Sequence, residues 1–178
     1  NQATLAQLFV VFRIGDLSLL LLVLWLGQRT GTYTIDSALG AAGSLPPPEQ
    51  LLVLLAGIAA AWVKLGLPPT NSWAEDAALL PRAKRLVLLG GGLPLLGAYL
   101  LYRLQPLLSS LGLRPVVAGL GLVVVITSLG RQALRREPSL PAHLLLRLHG
   151  AFALALLATP VMRWYLWTFV PVRLFILL

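Results

Sequence analysis

The chain has 178 residues, of which 58% are hydrophobic and only 11% charged, and its mean hydropathy is +0.85. Too few polar residues remain to coat a water-facing surface, which excludes an ordinary soluble domain and points to an all-α integral membrane protein. The formal charge of +8, from 14 Lys and Arg against 6 Asp and Glu, lies between apolar runs with no aromatic-interleaved patch, so it speaks for anionic lipid headgroups and membrane orientation, and against nucleic acid.

Cysteine is absent, which rules out disulfides, iron–sulfur clusters and thiolate zinc sites. Two histidines, His143 and His149, do not make a multi-histidine metal site. Neither a metal nor a cofactor is expected.

A membrane helix needs roughly 20 apolar residues. Leu5–Leu26 is the first candidate, with Arg13 and Asp16 inside it and Gly27 and Gly31 expected to end it. It has no basic leader and no cleavage-like end, so it does not read as a signal peptide. Gln28–Gln50 is the most polar stretch, a loop ending in Pro46-Pro47-Pro48, with room for a short surface helix around Thr34–Ala42. Leu51–Leu65 is the second helix, ending near Lys64, and the segment from Leu67 through Pro68, Pro69, Trp73 and Asp76 to Ala77 breaks the helical pattern.

Lys84–Leu101 is a third span, loosened by Gly90-Gly91-Gly92 and Pro94. Gln105–Leu113 is a short linking helix. Pro115–Leu129 is the fourth span, expected to stop at Gly130 before the basic cluster Arg131, Arg135 and Arg136. Ala142–Leu157, carrying His143, Arg147 and His149, is the fifth, and Val161–Leu178, carrying Arg173, is the sixth. The expectation is about six transmembrane helices with a Pro-broken segment, forming one membrane domain over 1–178. Arg82, Lys84, Arg85, Arg131, Arg135 and Arg136 fall on one side of the membrane, and Arg29, Arg103, Arg114 and Arg163 on the other.

A charge inside a span costs about 2.5–3.5 kcal/mol or more to insert, so each one is a functional candidate. Arg13 and Asp16, three residues apart, share a helix face and read either as a self-neutralising pair or as part of a site. Lys64 reads either as an amine snorkelling to the interface or as a buried one. A buried amine beside a carboxylate can take up and release a proton near neutral pH, and Asp16 is the best such carboxylate. The Pro68–Pro69 break reads as a plain interfacial loop or as irregular backbone lining a cavity at membrane depth. His149, Arg147 and Arg173 are secondary candidates. No Ser/His/Asp or paired-carboxylate constellation can be assembled, so an independent enzyme is not expected.

The stretch Phe9-Val10-Val11-Phe12-Arg13-Ile14-Gly15-Asp16 resembles the "FVVxRxGD" helix of the antiporter-like membrane subunits: the distal proton-pumping subunit of complex I, the Mrp antiporter and the Dab inorganic-carbon transporter. Some 48 residues on, Lys64, Pro69, Trp73, Asp76, Ala77 and Pro81 fall at the spacing of that family's "KSAxxPxxxWLxDAMxxPTPVSALxH" stretch, and Gly97, Tyr99 and Arg103 match its "GxYLxxR" end. Arg103–Leu108 is also similar to the "RxxPLL" of the Dab branch.

The resemblance implies an antiporter-like helix bundle, present here as a partial copy of a larger domain. It implies that Lys64 is the central lysine of a proton path, with Asp16 and Arg13 as a charged pair on the neighbouring helix. It implies membrane-subunit partners in a complex I-like quinone oxidoreductase, in a bacterial inner, thylakoid or equivalent membrane. Alternatives are a proton-driven inorganic-carbon uptake complex or a structural, non-conducting subunit. Leu89 stands where the family has a histidine, the "DIKRxLAYST" stretch expected near Pro138–Arg147 is not recognisable, and Arg173 stands roughly where another helix lysine belongs. Arginine does not deprotonate usefully.

Overall fold

The computed structural model describes residues 2–78, 80–135, 142–156 and 159–177. Every regular element among them is a helix. The first, α1 (Gln2–Thr30), runs past the expected stop at Gly27. Gly27 stays helical, and a Cβ there would lie 2.2 Å from the Tyr33 ring, so it is a seat for that ring. Gly31, at φ 69°, supplies the left-handed residue just beyond the helix. After α2 (Ile35–Ala42), α3 (Pro47–Leu65) begins inside the proline run. Pro47 and Pro48 belong to the helix and not to the expected loop. They start the helix because first-turn N–H groups have no helical acceptor to lose.

The end of α3 is closed by a Schellman motif. Gly66 takes φ 68°, its N–H donates to Val63 O at 3.1 Å, and the Leu67 N–H reaches back to Trp62 O at 3.2 Å. The expected break therefore begins one residue after Leu65 and contains a short helix, α4 (Ser72–Ala78). The expected third span is continuous from Arg82 to Arg103: α5 (Arg82–Arg85), a π-helical segment (Leu86–Gly92) and α6 (Leu93–Arg103). The widened turns fall on the Gly90–Gly92 run just before Pro94, as the loosened sequence suggests.

The remaining helices are α7 (Gln105–Ser110), α8 (Arg114–Arg135), α9 (Ala142–Leu156) and α10 (Met162–Leu177). Gly130 does not stop α8, because a lone glycine costs only about 1 kcal/mol in a helix interior. Three of the described helical stretches are long and apolar enough to cross a membrane: Pro47–Leu65, Arg82–Arg103 and Arg114–Arg131. Among the described residues that makes three spans against the expected six; the described 15 residues of α9 and 16 of α10 extend only about 23 Å at 1.5 Å per residue, short of a core about 30 Å thick.

Helix α3 forms the centre, packed against α1 on one flank and α6 on the other, while α8 pairs with α9, and α10 lies on the π-helical segment, α9 and α6. Glycines set the closest approaches. A Cβ on Gly97 would lie 3.0 Å from Ala61 O, and one on Gly150 3.2 Å from Leu65 O, so α6 and α9 both touch the backbone of α3. Two ion pairs tie α1 to α3, Arg29–Glu49 and Asp16–Lys64, each at 3.0 Å. They are 13 residues apart along α1, which is about 20 Å of helix.

Candidate functional site: a lysine–aspartate pair at a helix break

Lys64 sits in the last turn of α3 and its side chain is 8% exposed. Its Nζ donates to Asp16 Oδ1, while the Asp16 side chain is 55% exposed on α1. The approach depends on the neighbouring glycine: a Cβ on Gly15 would come within 3.1 Å of Val63 Cβ. The C-terminal end of α3 also carries the negative pole of the helix, which favours a cation there. Arg13, one turn before Asp16, is exposed.

The backbone after Lys64 is irregular, yet its polar groups are satisfied from within the chain. Trp62 Nε1 donates to Pro68 O and Trp73 Nε1 to Val63 O, both at 2.8 Å, and Thr70 Oγ1 donates to Leu67 O at 2.9 Å. Trp73 is buried and its ring lies 5.5 Å from that of Phe12 on α1. Two indoles, from Trp62 and Trp73, thus staple the irregular backbone that follows the lysine. Pro68 and Asp76 are half-buried and Pro69 is exposed. Trp62, which sequence reasoning did not single out, is as much part of the break as Trp73. Its one signal was an indole donor two residues before the lysine.

The secondary candidates form a second cluster. Arg173 is 1% exposed, and its Nε donates to Leu89 O at 2.7 Å and its Nη1 to Leu146 O at 3.3 Å. Its guanidinium lies 5.4 Å from the Phe169 ring centroid. Leu89 belongs to the π-helical segment, so the arginine ties that segment to α9. His149 packs against Tyr165 and Phe169 at centroid distances of 5.2 and 4.7 Å, and Tyr165 Oη donates to His149 O at 3.1 Å. Arg147 is half-buried on the same helix. This cluster meets the Lys64 end of α3 through Gly150 against Leu65 and through Trp73, which packs with Leu89 and Leu146 and donates to Val63 O.

Arginine's fork is what reaches two carbonyls on two elements. Arg173→Lys, with one ammonium, is expected to leave one carbonyl unpaired and cost about 1–3 kcal/mol. Thermal unfolding in detergent measures this, and an unchanged midpoint would mean the fork is not needed.

Fold and site together define a multi-pass integral membrane protein: a helix bundle whose central helix carries, in its last turn, a lysine paired with a carboxylate of a neighbouring helix. The transmembrane family of NADH:quinone oxidoreductase and Mrp antiporter subunits matches residues 1–134, and the chain belongs to that family. It is accordingly a membrane subunit of the complex I/Mrp antiporter type, seated in an energy-transducing membrane among other subunits. No curated protein and no solved structure matches the chain. The matched stretch holds Arg13, Asp16, Lys64 and the whole helix break. Arg147, His149 and Arg173 lie beyond it.

Proposed function

We propose that the chain is one membrane domain of a proton-translocating, complex I-like assembly, with Lys64 as the proton-carrying amine and Asp16 as its charge partner. The observation that carries this reading is the 3.0 Å contact between a buried amine and a carboxylate about 20 Å of helix below a second ion pair. Ionisable groups within a membrane helix bundle are costly, which makes each one a functional candidate. Arg13, one turn from Asp16, tunes the carboxylate. The exposed side of Asp16 is where the polar surface of a neighbouring membrane subunit completes the site. Energy comes from those other subunits, because the proposal gives this chain no redox step of its own. The coupled reaction, quinone reduction or inorganic-carbon uptake, is told by which polypeptides co-purify in mild detergent.

A structural subunit is the second reading. It is favoured by Leu89, whose carbonyl is held by an arginine that cannot release a proton at neutral pH.

Asp16→Asn separates the two. It keeps the side-chain shape and removes the charge. Under the first reading, proton movement by the assembled complex falls roughly tenfold, or 1.4 kcal/mol of lost charge stabilisation, with subunit levels unchanged. An unaltered rate leaves the structural reading standing.

A further inference from the structure

Trp73 meets both helices of the Lys64–Asp16 pair, one step from each charged residue. Its Nε1 donates to Val63 O at 2.8 Å, and that carbonyl belongs to the peptide group whose nitrogen is the Lys64 nitrogen. A peptide unit is planar and stiff, so an anchor on its oxygen also fixes the start of the lysine backbone. The Trp73 ring lies 5.5 Å from that of Phe12, which is one helical turn before Asp16 on α1 and shares a face with it. Trp73 itself is carried on α4, outside both helices, and is 3% exposed.

The indole bond is not what caps α3. Val63 O already accepts the Gly66 N–H at 3.1 Å, so the helix end is closed without it. Val63 is also where α1 bears on α3, since a Cβ on Gly15 would lie 3.1 Å from Val63 Cβ. The directional contact of a buried indole thus falls on the one residue that joins the lysine to the α1 seam. We propose that Trp73 is a positioning residue: its N–H, held on Val63 O, sets the reach of the Lys64 amine to Asp16. Its consequence for transport rests on Lys64 being the proton-carrying amine, and its geometry is tested apart from that reading.

The chain has two lysines, Lys64 and Lys84. In a Lys84→Arg background labelled with nitrogen-15 on the lysine side chain, the full chain in lipid nanodiscs therefore gives one ammonium signal in NMR, that of Lys64. Asp16→Asn defines where this signal lies when the pair is broken. Replacing Trp73 by benzothienylalanine keeps the fused double ring and removes only the N–H. The signal is then expected to move from the wild-type position toward that of Asp16→Asn. The same replacement at Trp167, which is 79% exposed, leaves it in place. A signal that does not move in the Trp73 variant overturns the proposal, because a ring needed only for packing survives this exchange. Trp73→Phe, which also lacks the donor, is expected to move it the same way, and decides alone if the isostere does not fold. In the assembled complex, loss of the donor should lower proton uptake about fivefold. A signal that moves while uptake holds keeps Trp73 as the residue that sets the contact and removes Lys64 from the proton path. Uptake that falls with the signal unmoved reduces Trp73 to a support of the break and overturns the proposal.

Discussion

Lys64→Arg is expected to stop proton translocation while the subunit folds and assembles normally. The guanidinium keeps the positive charge, so the contact with Asp16 and the favourable position at the C-terminal pole of α3 persist. What disappears is the ability to let go of a proton, since arginine stays charged at any physiological pH. Positioned proton transfer is worth about 10²–10⁴-fold, so the rate should fall at least about a hundredfold. Proton uptake into vesicles holding the assembled complex, normalised to subunit content, is the measurement. Retained transport would remove Lys64 from the path. Lys64→Leu provides the contrast, because it also strands Asp16 without a partner and so should lower the level of folded subunit as well as the rate.

Gly121→Leu is expected to split the α8–α9 pair. A Cβ on Gly121 would lie 2.7 Å from Ala155 N and 2.9 Å from Ala151 O, and backbone cannot swing aside as a side chain can. Overpacking costs about 1–3 kcal/mol where side chains can adjust, and this site belongs at the upper end. Gly119→Leu, two residues away with nothing within 4 Å, is the internal control. There the gain in helix propensity, about 0.5–1 kcal/mol over glycine, should leave stability unchanged or slightly raised. Detergent-denaturation midpoints of the two variants should move apart. Equal shifts would show that the seam between α8 and α9 is not set by this contact.

The part of this architecture legible in the sequence is the part written in charge and spacing. Lys64 and Asp16 are 48 residues apart, and two short motifs sufficed to pair them because an ionisable residue in an apolar run has few partners available. Helix termini were less legible. Gly27 and Gly130 suggest stops and are not, since neither takes the left-handed backbone seen just past the ends of α1 and α3 at Gly31 and Gly66. Pro46-Pro47-Pro48 looked like loop, whereas two of its members open α3. Span length was less legible than composition: the described 15 residues of α9 and 16 of α10 are shorter than the runs Ala142–Leu157 and Val161–Leu178 suggest. The indole staples from Trp62 and Trp73 were hidden, since which carbonyl a tryptophan reaches depends on a fold the string does not spell out. Arg173 was found as an oddity, and its two carbonyl acceptors come from elements 84 and 27 residues away.

The wedging of α3 has a mechanical corollary. Gly15, Gly97 and Gly150 bring three neighbouring helices so close that this rod has no clearance to slide or roll without opening a seam. Under the proposed role of Lys64, whatever travels during turnover would then be small: the four-carbon arm of that residue, with its amine moving toward and away from the acid on α1.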